Sequence, residues 1–444
     1  MVSSHRTLVK RKVNHEVLVE VVVLITWIAF FCQLLLLFLF KSLLVETDVV
    51  VVYIIGFTSI FVVARILRCH RSIQAYLVVG YILRLSALFF DVYFRYAYLL
   101  PHSGNDSEGF FNSAVSIATN PFLLKEGIYG GFYSKLLGIV YLVTLPNRLL
   151  GQFLNVLFGM TIIFVVLRIL QMLEIDMGIQ KTTMMLTCLF PHSIIFSGIL
   201  LRENIITMIV IASIYFLIKW TLTNSILDAI KAVLVLLIAS AFHAGVIGLI
   251  AGYAFMFMFY SPRSETFSFR PRTVSAFILM IVVSMVVYLQ FGSIFLAKFQ
   301  VVDEISTIYA VASGGRGGSV YLTNLRIDTL WQLLLYAPIK MFYFLVVPLP
   351  HYWRGLNDVV SFALDGTIYL YFLIYLIKHR RTIVHSPIAV GLMIALLGAT
   401  FVFGVSVSNA GTALRHRHKI YPVFLIIVAL IRQRERIAYK CIRE

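Results

Sequence analysis

Runs of about 18 or more apolar residues recur from one end of this chain to the other, and that recurrence constrains its fold more than any other feature. A run of that length closes all its backbone hydrogen bonds as one helix and matches the hydrocarbon thickness of a bilayer. The chain is 60% hydrophobic and only 13% charged over 444 residues, with a mean hydropathy of +0.93. A soluble domain, typically about half apolar, could not hide so much apolar surface. The expected fold class is therefore all-α, a polytopic membrane helix bundle.

Basic residues orient the runs, because they concentrate in cytoplasmic loops. Arg6, Lys10, Arg11 and Lys12 place the N-terminus in the cytoplasm. Spans are expected at about 17–40, 48–66 and 75–98, with Arg65, Arg68 and Arg71 in the cytoplasmic turn between the second and third. Arg263, Arg270 and Arg272, then Lys378, Arg380 and Arg381, and finally the tail from Arg432 mark further cytoplasmic segments. With both termini inside the count is even, and the strong runs give about 12 crossings. Two shorter stretches, 134–146 and 333–349, are then re-entrant or interfacial, with Pro146, Pro338, Pro348 and Pro350 bounding them. No internal repeat or low-complexity linker appears, so residues 1–444 read as one integral membrane domain with external loops at about 99–133, 293–333 and 408–418. No cleavable signal peptide is expected, since the first apolar run is too long and lacks a small-residue cleavage site.

The net charge of +17 would suggest nucleic acid in a soluble protein, but here basic loops against anionic lipid account for it. The expected partners are the bilayer and, from the positions below, an anionic lipid-linked ligand; nucleic acid is not expected. Cys32, Cys69, Cys188 and Cys441 are scattered, with no metal or disulfide spacing.

Polar residues that break the membrane pattern are the informative ones. Asp106 and Glu108 lie just beyond the third span, at the start of an amphipathic stretch. Either carboxylate suits a base for an acceptor hydroxyl, and Asp106 is a possible ligand for a divalent Mg or Mn ion. Judged alone, the commoner reading of the same residues is a helix cap, Asn105 or Asp106 with Glu108 in the first turn. Arg202-Glu203 forms a tight external connection between two spans, either as an ion pair or as an arginine aimed at phosphate and oriented by Glu203. Arg415, His416, Arg417, His418 and Lys419 are external by this threading, against the positive-inside bias, and demand an anionic partner. Beside them, Gly411 and Thr412 can offer backbone N–H groups to the same phosphate. Arg316 sits among four glycines in a loop able to close over a ligand, and His243 stands at the external end of a span. Arg84 and Asp91, two helical turns apart within the third span, are expected to bridge polar groups inside the bundle.

Taken together these positions resemble the GT-C superfamily of membrane glycosyltransferases. The resemblance runs from about Arg84 to Pro422. It rests on Asp106-Ser-Glu108, the following Gly130-Gly-Phe-Tyr-Ser-Lys segment, Gly151 to Gly159, Pro191, Arg202-Glu203, and Gly411-Thr-Ala-Leu-Arg415-His-Arg417. It implies transfer of a sugar or oligosaccharide from a polyprenyl phosphate or diphosphate carrier at the external membrane face, in bacterial envelope polysaccharide assembly. Asp106 then matches the acidic base or metal ligand of the first external loop, and Arg415 and Arg417 match the residues that hold the carrier phosphate. The pattern departs from the family in reading Asp-Ser-Glu rather than Asp-x-Asp and in placing two spans ahead of the acidic loop. A repeat-unit polymerase and a lipid-linked glycan flippase remain alternatives, although no repeat supports a transporter.

Overall fold

The computed structural model describes residues 24–35, 47–271, 274–275, 318–325 and 327–443. The apolar runs are helices, in chain order α1 (Leu24–Leu35), α2 (Thr47–Leu67), α3 (Arg71–Tyr93), α4 (Asn105–Thr119), α5 (Phe132–Val143), α6 (Arg148–Met172), α7 (Met177–Leu189), α8 (Pro191–Gly198) and α9 (Glu203–Thr223). They continue as α10 (Ile226–Phe242), α11 (Ile250–Phe259), α12 (Leu330–Val346), α13 (Leu356–Lys378), α14 (Arg380–Val384), α15 (Pro387–Ser406), α16 (Ala410–His418) and α17 (Tyr421–Arg443). A short hairpin, Tyr260–Ser261 with Thr266–Phe267, is the sheet found among the described residues. Among the described residues six helices, α2, α3, α6, α9, α13 and α15, are long and apolar enough to cross a membrane. Their outer faces carry Ile60, Leu67, Ile374 and Ile377, each more than half exposed, which suits lipid and not water. The chain is a helical membrane protein.

The two stretches expected to be re-entrant are the short helices α5 and α12. At 1.5 Å per residue, the 12 residues of α5 span about 18 Å, well under a bilayer core. Pro338 does not bound α12 but lies inside it. The third span also ends earlier than expected, at Tyr93.

Internal contacts divide the chain into two compact units, with the division falling inside α6 and α7. The first takes in the described residues up to Ile163 together with Met184–Asn204, and the second takes in Phe164–Thr183 and the chain from Ile205 onward.

In the first unit, α1 lies on the middle of α6, with Trp27 stacked on Phe158 at 5.5 Å and its indole N–H donating to Thr161 Oγ1 at 3.3 Å. Arg84, fully buried in α3, donates to the carbonyls of Gly80 and Cys188 at 2.8 Å and to Ser193 Oγ at 2.9 Å, tying α3 to the α7–α8 corner. Gln152 of α6 donates to the buried Asp91 carboxylate at 2.7 Å. Both residues thus serve the bundle interior. Gly198 of α8 packs on Ala87 of α3, where a Cβ would stand 2.6 Å from its neighbour.

In the second unit, α15 runs through the packing. Gly391 and Gly398 on α15 face Gly252 and Gly248, which are spaced four apart on the other side, and a Cβ at Gly398 would fall 2.2 Å from the Gly248 carbonyl oxygen. Small residues at this spacing let membrane helices touch through their backbones. Gly404 meets Met341 of α12 in the same manner. Across the far end of this unit, Asp176 pairs with Arg436, and His379 approaches Glu435 at 3.3 Å. The 20 residues of α15 separate that end from the start of α16 by about 30 Å.

Candidate functional site

In the first unit the site grows from the first turn of α4. Gly104 precedes the helix with φ of 104°, a conformation L side chains avoid. Capping is done by Ser107, whose buried hydroxyl accepts from the Gly104 N–H at 3.0 Å. Asn105 and Asp106 are therefore not the cap. Asp106 and Glu108 stand in the first turn, where the positive end of the helix dipole favours carboxylates. Asp106 accepts a hydrogen bond from the Tyr129 hydroxyl. The Tyr129 ring lies across Gly109, where a Cβ would come within 2.3 Å of it, so that position must lack a side chain.

Glu108 is held between two guanidiniums. Arg95 donates to one carboxylate oxygen at 2.5 Å and Arg148 to the other. Partial burial alone would raise the Glu108 carboxyl, but the two arginines outweigh it and hold it below the usual carboxylate range. Arg148 also stacks over Phe111 at 4.7 Å, and Arg202 stacks over Phe110 at 5.8 Å. Successive phenylalanines of α4 thus seat two cations. Arg202 differs from Arg148 in having no ion-pair partner among the described residues, and its buried Nε makes no hydrogen bond there. The expected pairing of Arg202 with Glu203 does not form. Glu203 instead opens α9, fully buried. Arg95 and Arg148 hold Glu108 while Arg202 lies over Phe110, so three guanidiniums meet side chains of the first half of α4.

Arg95, Arg148 and Tyr129 were not singled out from the sequence. Arg148 was within reach of the rule that flagged Arg202, as a basic residue just beyond an apolar stretch, whereas Arg95 fell inside the span expected at 75–98.

In the second unit, α16 starts at Asn409, whose side chain accepts from the Thr412 N–H at 3.1 Å. That N–H is consumed by the cap and is not offered to a phosphate. His243 lies with its ring 4.5 Å from that of His416, so two positions flagged separately do come together. Lys419, buried, contacts His416 Nδ1 at 2.8 Å. Arg415, the residue before His416 in α16, is half-buried. Arg417 is not available to a ligand. It is fully buried, pairs with Asp365, and donates to the carbonyls of Leu345 at 2.5 Å, Val347 at 2.9 Å and Phe344 at 3.3 Å. These carbonyls end α12, where a helix leaves them without intrahelical partners and its dipole favours a cation. The phosphate-holding role expected of Arg417 is replaced by this structural one.

Arg316 lies outside the described residues. For a divalent ion the donors near Asp106 fit poorly: Glu108 is committed to two arginines, and Mg or Mn asks for several oxygen ligands. Among the described residues no three His, Cys, Asp or Glu side chains gather as a metal site. Compared with protein-family models, curated proteins and solved structures, the chain gives no match.

Proposed function

We propose that this protein is a membrane glycosyltransferase of GT-C type. It moves a sugar or oligosaccharide from a polyprenyl phosphate or diphosphate carrier to an acceptor at the external membrane face, in the assembly of bacterial envelope polysaccharide. It resides in the inner membrane with about 12 crossings and both termini cytoplasmic. The observation that carries this reading is Arg202, a cation seated on Phe110 without a protein anion among the described residues, next to the acidic turn of α4.

The chemistry follows from these parts. As the glycosidic bond to the carrier breaks, negative charge builds on the departing phosphate, and a guanidinium already in place stabilises that charge without reorganising. The acceptor hydroxyl must lose its proton as the new bond forms, and Asp106 is the carboxylate suited to take it. The Tyr129 hydroxyl orients the Asp106 carboxylate. The clamp of Arg95 and Arg148 keeps Glu108 ionised and α4 fixed. His243, Arg415 and His416 supply a second basic surface, in their own unit.

The test replaces Asp106 with Asn and, separately, Arg415 with Ala, in cells whose polymer is measured. Loss of polymer with the protein still in the membrane supports the reading; normal polymer from both variants contradicts it. Cysteines introduced at 106, 202 and 415 should label from outside the cell, and labelling from the cytoplasm alone would overturn the orientation.

A further inference from the structure

Within the second unit a cavity of about 220 Å³ opens beside the start of α16, walled by Tyr321, His351, Tyr352, Trp353, Arg354 and Asp358. We infer that it binds one neutral sugar ring. This inference stands on the cavity alone and does not require that the chain be a transferase.

The cavity is built before any ligand arrives. The Tyr321 hydroxyl donates to the Val407 carbonyl at 2.8 Å, the Trp353 indole N–H donates to the Pro348 carbonyl at 2.9 Å, and the Tyr352 hydroxyl accepts from the Leu322 N–H at 3.0 Å. Each ring has its polar atom tied to the backbone, so its face is set without further ordering cost. Trp353 is nonetheless 38% exposed, which marks a platform and not a core residue. Aromatic faces carry the negative lobes of the ring quadrupole and accept the weakly positive C–H bonds on one side of a sugar ring.

The polar wall selects for hydroxyls. Arg354 donates from Nε and Nη2 to the two oxygens of Asp358 at 3.1 and 3.2 Å, and its backbone N–H adds a third bond at 3.0 Å. The pair cancels its own charge, so the wall does not call for a phosphate, and Asp358 would repel one. Nη1 of Arg354 makes no hydrogen bond among the described residues, and the Asp358 oxygens retain acceptor capacity. A donor beside an acceptor suits two neighbouring hydroxyls, each of which both gives and takes a hydrogen bond. Gly318 keeps this corner clear, since a Cβ there would stand 3.1 Å from Nη1. At about 220 Å³ the cavity has room for one sugar ring.

The experiment titrates the detergent-purified full chain with glucose, galactose, mannose and N-acetylglucosamine, following saturation-transfer NMR. Saturable binding of at least one, with a Kd in the millimolar range, is expected for so small a ligand. Trp353→Ala should weaken that binding about tenfold, while Trp353→Phe, which keeps a ring, should stay within about threefold. Asp358→Asn should weaken it about tenfold by disturbing the paired wall. No binding of any of the four up to about 100 mM, or binding indifferent to Trp353→Ala, overturns the proposal. So does glucose 1-phosphate binding in the same cavity about tenfold more tightly than glucose. Since no transfer is measured, failure here leaves the transferase reading untouched, and failure of that reading leaves this one standing.

Discussion

Arg417 gives the sharpest test of structure against sequence pattern. Its guanidinium lies fully buried between Asp365, the Tyr369 ring at 5.1 Å, and three carbonyls at the end of α12. Arg417→Met removes the cation but keeps much of the volume. It leaves a buried carboxylate unpaired and the carbonyls orphaned, and breaking a buried pair from one side costs about 3–5 kcal/mol. With an unfolding entropy of about 2.1 cal/mol/K per residue over 444 residues, that loss lowers the melting temperature by about 3–5 °C if the chain melts as one. The double variant Arg417→Met with Asp365→Leu removes the stranded carboxylate and should recover about half the loss, because the carbonyls remain unsatisfied. The assay is melting of the detergent-purified protein, read by a thiol-reactive dye at the buried Cys69 and Cys188. A single variant that melts within about 1 °C of the parent, yet makes no polymer, would refute this reasoning and return Arg417 to the ligand-binding role read from the sequence.

Other outcomes follow from the same packing. Gly398→Ala presses a methyl group against the Gly248 backbone and should cost about 1–3 kcal/mol in the same melting assay, whereas Gly56→Ala, with nothing within 4 Å of the new carbon, should be neutral or slightly stabilising. Glu108 is held below its ordinary value of 4.5, so its clamp stabilises fully above about pH 4.5 and is lost as pH falls through the lowered folded value. Glu108→Gln should remove that part of the pH dependence of melting below about pH 4.5, an effect under about 1 kcal/mol because the carboxylate is partly exposed. A parent and variant with superimposable pH curves would contradict the clamp. Arg202→Ala should leave the melting temperature within about 1 °C, since Arg202 makes no hydrogen bond among the described residues, and a larger drop would make it structural.

The helices were legible because run length and apolarity report directly on a membrane span, as at α2, α3 and α15. The acidic turn at Asp106 and the neighbourhood of Arg415 were legible because charge beside an apolar run is expensive and so conspicuous. What sequence could not supply was direction. Arg415 and Arg417 look equivalent in a list of residues, but two positions on a helix lie about 200° apart, so in α16 one turns inward to Asp365 while the other does not. Nor could sequence foresee that Arg148, 40 positions from Glu108, would close on it, or that Ser107 would take the capping role assigned to its neighbours. Prolines misled at Pro338, which α12 tolerates in its interior, because neighbouring helices can shelter a broken backbone bond within a membrane.

The claim at the centre is that Arg202 meets a lipid-linked phosphate. The direct measurement is the mass of the polyprenyl-linked glycan extracted from cells that carry Arg202→Ala in place of the parent protein, at matched protein level in the membrane. The same lipid-linked species should accumulate as in cells lacking the gene, with little or no polymer. A lipid extract indistinguishable from that of the parent, alongside normal polymer, would contradict the account.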